Sequence, residues 1–279
     1  MKFRCIFKNK SSRLKKSVLA SFMAVSALFA SSAAQADGEL EHVTLTVLVN
    51  PLGAPQAFLK DDFQRPYGID VDVIYELQRR LGFKLAENRI FVLDRPSSQK
   101  RLREGSADLF AGGVSRTTER MKTFDFTPVY YASSMGVMFN PKRHPDIKNV
   151  TDIKGLRIGA SSGSTSAKYV EMLGATPVPF TNAIQAYFHV FTGDLDGVLF
   201  DRPPLAGFAH DMKRDEFAVT PEAALGRESC KYAIMMPKGS KYKDVISNEI
   251  SEMISDGTID KILLKWHSAE MSVFNSENY

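Results

Sequence analysis

Residues 156–200 read LRIGASSGSTSAKYVEMLGATPVPFTNAIQAYFHVFTGDLDGVLF, and this stretch alternates short apolar runs with helical patterns. The apolar runs are bounded by glycine or polar residues, which is typical of buried strands. Strands are expected at 156–160, 176–180 and 197–200, and helices at 166–173 and 182–191. Because strands that alternate with helices form parallel sheets covered by helices, the stretch predicts an α/β unit.

The same alternation occurs earlier in the chain. Strands are expected at 44–49, 90–93 and 108–111, with a helix capped by Asp70 and ended by Gly82 and a second helix at 98–104 before Gly105. Two further helices, at 242–255 and 258–267, follow the second run. Two separate strand–helix runs predict two lobes, each with a mostly parallel sheet flanked by helices.

The first residues have the pattern of a secretory signal peptide. Seven basic residues precede an apolar run at 18–29, and the small-residue triplet Ala34-Gln35-Ala36 follows. The run is shorter than the roughly 20 residues of a membrane-spanning helix. We therefore predict cleavage after Ala36 and export to the periplasm.

Removal of residues 1–36 changes the charge of the chain. That segment holds seven of the 36 lysine and arginine residues and no acid, so the formal charge falls from +4 to −3. A nucleic-acid partner is therefore not expected. Cys230 becomes the only cysteine, which excludes an internal disulfide, and we expect a monomer held together by its hydrophobic core.

An ordered set of short motifs resembles the periplasmic solute-binding proteins of amino-acid ABC transporters, bacterial solute-binding protein family 3. The motifs are Gly105-Ser106-Ala107-Asp108-Leu109, Gly113-Val114-Ser115, Thr118-Glu119-Arg120, Phe124-Asp125-Phe126, Pro128-Val129-Tyr130-Tyr131, Asp152-Ile153-Lys154-Gly155, Gly163-Ser164-Thr165, Phe200-Asp201-Arg202-Pro203, Asp256-Gly257-Thr258-Ile259 and Lys265-Trp266. The resemblance implies a type II periplasmic-binding-protein fold with two crossings and a central cleft. It places the first part of lobe 1 at 37–135, an inserted lobe 2 at 136–231 and the rest of lobe 1 at 232–279.

The resemblance also implies a function. A small zwitterionic solute, an amino acid or a derivative, binds in the cleft, the lobes close by a hinge motion, and the solute is delivered to the membrane subunits of an ABC importer. A sensor that docks on a membrane receptor would share every one of these features.

Two charged residues are expected to bind the two ends of such a solute. A guanidinium meets a carboxylate with two parallel hydrogen bonds, and Arg120 stands where the family's carboxylate-binding arginine falls. Asp201 follows an apolar strand and matches the family position that receives the ammonium. The alternatives are a solvated arginine at a helix start and an aspartate paired with Arg202.

Five further residues are candidates for the cleft. Ser164 and Thr165 lie between a strand and a helix, where they are expected to complete the carboxylate site or to serve as an ordinary helix cap. Ser115 and the backbone of Gly113 are weaker candidates for carboxylate contacts. Arg95 is expected either near the pocket for the solute's side chain, favouring an acidic or polar solute, or on the surface.

Enzymatic alternatives start from Gly159-Ala160-Ser161-Ser162-Gly163, which fits the G-x-S-x-G pattern of a serine hydrolase, with Asp201, His210 and His267 following in order. A dehydratase on the same fold is disfavoured, because similar dehydratases carry a glutamate as general acid just after this turn, whereas the stretch Thr165-Ser166-Ala167-Lys168 has no acid. The histidines are scattered and no nucleotide-binding loop is present, so we expect no metal, no cofactor and no catalysis.

Overall fold

The computed structural model describes residues 38–51, 53–59, 65–181, 183–226 and 228–266. The predicted signal peptide at 1–36 and His267 lie outside these residues. The helices are α1 (Ile69–Leu81), α2 (Arg95–Arg103), α3 (Thr118–Met121), α4 (Thr165–Met172), α5 (Ala183–Thr192), α6 (Arg202–Met212), α7 (Lys243–Ser255) and α8 (Thr258–Lys265). None of the helices in these ranges combines the length and apolar composition needed to cross a bilayer.

The strands are short. They are β1 (Thr44–Leu45), β2 (Val47–Val49), β3 (Phe58–Leu59), β4 (Pro66–Tyr67), β5 (Lys84–Leu85), β6 (Phe91–Val92), β7 (Leu109–Ala111), β8 (Phe124–Phe126), β9 (Tyr131–Ala132), β10 (Met135–Phe139), β11 (Arg157–Ser161), β12 (Thr176–Phe180), β13 (Gly197–Asp201), β14 (Ala218–Val219), β15 (Lys231–Tyr232) and β16 (Met235–Pro237).

Two five-stranded sheets organise the described chain. The first sheet has the order β6-β2-β7-β16-β8 and the second sheet the order β12-β11-β13-β10-β14. In each, the first three strands pair in parallel, and the fourth strand runs antiparallel to both of its neighbours, so the fifth strand has the direction of the first three. The predicted α/β fold with two mostly parallel sheets is confirmed, and one strand of each sheet, β16 or β10, runs against the other four.

Both sheets are apolar on both faces. In β2, Val47 and Val49 pack into one hydrophobic cluster, whereas Leu48 between them packs into another with Leu102 of α2. The second sheet divides in the same way, because Leu199 of β13 joins the first cluster and its neighbours Val198 and Phe200 join a third. Alternate residues of a strand point to opposite faces, so each sheet is buried on both sides.

The two sheets are joined by a pair of adjacent chain segments. β9 and β15 pair antiparallel, with Tyr131 opposite Tyr232, and the N–H of Ser133 donates to the carbonyl of Cys230 over 2.8 Å. β10 then enters the second sheet at Met135, and β16 enters the first sheet at Met235. Two side-by-side connections are what a two-crossing topology requires.

Helix starts differ from the sequence-based expectation. α1 begins at Ile69 after Gly68 and has no side-chain cap, so the prediction of Asp70 as a cap is wrong. Asp70 lies in the first turn, and its carboxylate accepts hydrogen bonds from Gly113 and Tyr130 instead of capping the helix. The end of α1 is as predicted, since Gly82 adopts a left-handed conformation with φ of 77°.

α6 was not expected from the sequence. Pro203 and Pro204 suggest a turn, but both stand in the first turn of the helix, where proline is tolerated because the first N–H groups have no intrahelical partner. α6 begins immediately after β13 ends, so Asp201 is held between a strand and a helix.

Candidate functional site

The candidate residues lie where parallel strands end. Arg95 follows β6, Ser115 follows β7, Thr165 follows β11 and Asp201 is the last residue of β13. In open α/β sheets, ligands bind in the crevice outside the carboxyl ends of the strands. The first sheet supplies the first two residues and the second sheet the other two, so the site is built from both.

These residues line one narrow cavity of about 250 Å³. Its lining contains all seven residues singled out from the sequence, namely Arg95, Gly113, Ser115, Arg120, Ser164, Thr165 and Asp201. It also contains Met135, Ser166 and Phe200, which sequence reasoning missed because an apolar strand end or a serine inside a helix carries no distinctive signal.

Arg120 connects loops of the two sheets. It lies in α3, whose first turn is capped by the hydroxyl of Thr117 accepting from the Arg120 N–H over 3.2 Å. Its Nη1 donates to the carbonyl of Ser115 over 2.8 Å and its Nη2 to that of Gly163 over 3.0 Å. These bonds use two of the five N–H donors of a guanidinium, so donors remain for a ligand.

The surroundings of Arg120 disfavour its positive charge. Burial and the positive charge of Arg95 lower the pKa of Arg120 to about 9, so it is still protonated at neutral pH. Two nearby cations repel each other more strongly where burial lowers the effective dielectric constant. An anion bound between them would remove that repulsion.

The turn at residues 163–165 is both a helix cap and part of the cavity. Gly163 has φ of +68°, a conformation that favours glycine, and Ser164 caps α4 by accepting from the N–H of Ala167 over 3.4 Å. The hydroxyl of Ser164 also donates to the carbonyl of Ser161 over 2.6 Å. Because the N-terminal end of α4 carries partial positive charge, the turn favours an anion. The expected helix cap is therefore present, and the predicted carboxylate contact remains a prediction for the same turn.

Asp201 is buried, with a relative exposure of 7%. Burial raises the pKa of its carboxyl, while the neighbouring side chains of Tyr232, Cys230 and Arg95 oppose that effect. The thiol of Cys230 donates to Oδ1 over 3.3 Å. Arg202 does not pair with it, because the Arg202 Nε donates instead to the carbonyl of Thr220 over 3.1 Å.

Arg95 is buried, with a relative exposure of 4%, so the alternative of a surface arginine is wrong. α2 begins with this residue, after Asp94, which caps the helix by accepting from the N–H of Ser97 over 3.0 Å. The Nη2 of Arg95 lies 3.5 Å from the carbonyl of Gly113, and its Nε is buried without a hydrogen-bond partner among the described residues.

Gly113 and Ser115 are already engaged by the protein. The N–H of Gly113 donates to Asp70 Oδ2 over 3.0 Å, so it is not free for a ligand. The hydroxyl of Ser115 accepts from the N–H of Cys230 over 3.2 Å. Both residues therefore line the cavity, and Ser115 also holds the connecting segment at Cys230.

Asp70 is a supporting residue that the sequence did not reveal as such. It is fully buried and accepts from the hydroxyl of Tyr130 as well as from Gly113. Burial, the largest effect, raises the pKa of its carboxyl to about 6. The pattern Asp70-Val71-Asp72 at a helix start is typical of capping acids, so only the fold distinguishes this role.

The hydrolase alternative has little support in the geometry. Ser161 ends β11 with a relative exposure of 6%, and no hydrogen bond joins its hydroxyl to an imidazole in the described part of the chain. His210 is exposed near the end of α6, while Asp201 lies at the start of that helix. A nucleophile needs a base within hydrogen-bond reach, and none of these described residues supplies one to Ser161.

Comparisons with known proteins agree with the fold. The family model described as bacterial extracellular solute-binding proteins, family 3, matches residues 45–269. The L-cystine-binding protein TcyA of Bacillus subtilis (strain 168) is 27% identical over 276 residues, which cover 93% of this chain and 100% of that protein. The L-cystine-binding protein TcyJ of Escherichia coli (strain K12) is 26% identical, with 83% and 85% covered.

Solved structures give the same result. An ancestral arginine-binding protein bound to glutamine superimposes with a TM-score of 0.73 at 27% identity, covering 81% of this chain and 98% of the other. The same kind of protein bound to arginine gives a TM-score of 0.72 at 26% identity, with 80% and 97% covered. The chain therefore belongs to the bacterial extracellular solute-binding proteins, family 3.

Proposed function

We propose that this protein captures a free amino acid in the cavity between Arg120 and Asp201 and delivers it to an ABC importer. One observation carries the proposal: the two sheets place groups of opposite charge around a single small cavity. The relatives support the solute class, since their names describe L-cystine-, glutamine- and arginine-binding proteins.

The charges match the two poles of an amino acid. The guanidinium of Arg120 binds the α-carboxylate together with the positively charged end of α4, and Asp201 accepts from the α-ammonium. Hydrogen bonds to charged groups contribute about 1.5–3 kcal/mol each. A micromolar dissociation constant requires about 8 kcal/mol, so four or five such contacts are enough.

Binding is coupled to closure of the lobes. Lobe 1 comprises residues 37–135 and 232–279, lobe 2 comprises residues 136–231, and the hinge lies in the paired segments β9 and β15. The bond from Arg120 to the carbonyl of Gly163 already joins loops that follow strands of different sheets. A solute held at the same place adds contacts to both lobes only when they are closed.

The family supports the cellular setting that we propose. The chain is exported by a signal peptide cleaved after Ala36, acts in the periplasm as a monomer, and docks on the membrane subunits of an importer. Ligand capture needs no chemical step, and we assign no catalytic role to Ser161. A receptor-docking sensor would use the same cavity and differ only in its membrane partner.

A ligand screen tests the proposal. The mature chain is mixed with the common L-amino acids, with organic acids and with polyamines, and its melting midpoint is recorded. A ligand at about 100 times its dissociation constant stabilises the folded state by about 2.7 kcal/mol. We expect one or a few amino acids to raise the midpoint. Stabilisation by polyamines or simple organic acids alone would contradict the proposal.

A further inference from the structure

The guanidinium of Arg95 is a buried cation with little hydrogen bonding of its own. Its described bond is the long contact of 3.5 Å to the Gly113 carbonyl, and its Nε has no partner in the described ranges. Its Cδ lies 4.0 Å from the position that a Cβ on Gly163 would occupy, so the side chain reaches the turn of the second sheet. A buried charge with unused donors is costly unless an acceptor completes it.

Neither nearby carboxylate of the protein, Asp201 or Asp70, forms an ion pair with the Arg95 guanidinium within 4.0 Å in the described chain, although both attract it electrostatically. Asp70 is occupied by Tyr130 and by the N–H of Gly113. In the proposed binding mode, Asp201 is occupied by the α-ammonium and Arg120 by the α-carboxylate. Arg95 is then the one cation of the cavity lining that the main-chain groups of the solute leave unmatched.

We infer that Arg95 binds a carboxylate in the side chain of the solute, so that the protein selects acidic amino acids over their amides. This inference rests on the proposed function. A carboxylate offers two acceptor oxygens in the geometry of the guanidinium fork and neutralises its charge, whereas an amide offers one neutral acceptor. Aspartate and glutamate are the common amino acids whose side chains end in a carboxylate, so they are the solutes that this inference names.

A competing role for Arg95 is to share the α-carboxylate with Arg120. The two roles differ in what removal of the guanidinium does. If Arg95 binds the side chain, its loss weakens acidic amino acids only. If it binds the α-carboxylate, its loss weakens every amino acid by a similar factor.

The test is titration calorimetry with two matched ligand pairs, glutamate with glutamine and aspartate with asparagine. For the parent protein we expect tighter binding of the acidic member of at least one pair, by about ten- to a hundredfold, the size of a charge-assisted hydrogen bond. In Arg95→Gln this preference falls to within about threefold, because only the acid loses its partner. Arg103→Gln, an exposed arginine on the same helix, is the control and keeps the parent's preference.

Three outcomes overturn the inference. They are tighter binding of the amides by the parent, equal binding of acid and amide by the parent, and an equal loss for acid and amide in Arg95→Gln. The parent's own preference decides the question even if the variant does not fold. Failure of the proposed function looks different, since no amino acid of either pair or of the wider screen would then bind.

Discussion

Arg120 and Asp201 differ in how the fold holds them. Arg120 is partly buried and anchored by two backbone carbonyls, whereas Asp201 is almost fully enclosed beside Cys230 and Tyr232. Both are held in surroundings that disfavour their charged forms. Ionisable groups with pKa values shifted by burial are common at functional sites. A bound ligand of opposite charge would stabilise their charged forms.

Arg120→Gln should weaken amino-acid binding by at least about a hundredfold, since the bidentate charged contact to the carboxylate is lost. The melting midpoint without ligand should change little, because the side chain is not part of a hydrophobic cluster. Calorimetry and thermal unfolding measure the two effects. Arg116→Gln, at an exposed position just before α3, should bind like the parent. Parent-like affinity in Arg120→Gln would refute the role assigned to it.

The motifs predicted which side chains lie together at one cavity, but they did not predict the burial or the hydrogen-bond partners of each side chain. All seven candidate residues line the cavity, but neither the burial of Arg95 nor the engagement of the Gly113 N–H by Asp70 was predicted. A charged residue in sequence carries no sign of its exposure. That property depends on which loops close over it.

Asp70 in α1 accepts a hydrogen bond from Gly113 in the loop after β7. The protonation state of Asp70 therefore affects the contact between this helix and the end of the strand. Its folded-state pKa of about 6 lies above the unfolded reference of 3.8. The folded state therefore binds the proton more tightly, and the free energy of unfolding falls as pH rises from about 4 to about 6. The difference in pKa corresponds to about 3 kcal/mol.

Asp70→Asn should remove this part of the pH dependence, because an amide does not titrate. Urea unfolding of the parent and the variant at several pH values between 4 and 7 measures it. The difference in unfolding free energy between the two should change by about 3 kcal/mol across that range. Asp146→Asn, at an exposed position, is the control. Parallel pH profiles for parent and Asp70→Asn would show that Asp70 does not titrate as described.

Among the secondary-structure elements, those with a clear period were predicted within a few residues. α7 was expected at 242–255 and spans Lys243–Ser255, and β12 was expected at 176–180 and spans Thr176–Phe180. The antiparallel strands β8 and β16 and the helix α6 were missed. The strands are three residues long, too short for a period to show, and α6 begins with two prolines.

For the molecule as a whole, the alternation of strands and helices predicted two mostly parallel sheets, and this is confirmed. The antiparallel fourth strands β16 and β10 were not predicted, because strand direction depends on how the chain passes from one sheet to the other. That return passes through β9 and β15, whose pairing brings Cys230 beside Asp201 and Ser115. The topology therefore builds the cavity as well as the fold.

The central claim is that one solute is held by its carboxylate at Arg120 and by its ammonium at Asp201. The most direct test is calorimetry of the parent and Asp201→Asn with the best amino acid and with its analogue lacking the amine. In the parent we predict a preference of at least about a hundredfold for the amino acid. In Asp201→Asn we predict that this preference falls below about threefold, because the partner of the ammonium is gone. An unchanged preference in the variant would contradict the claim.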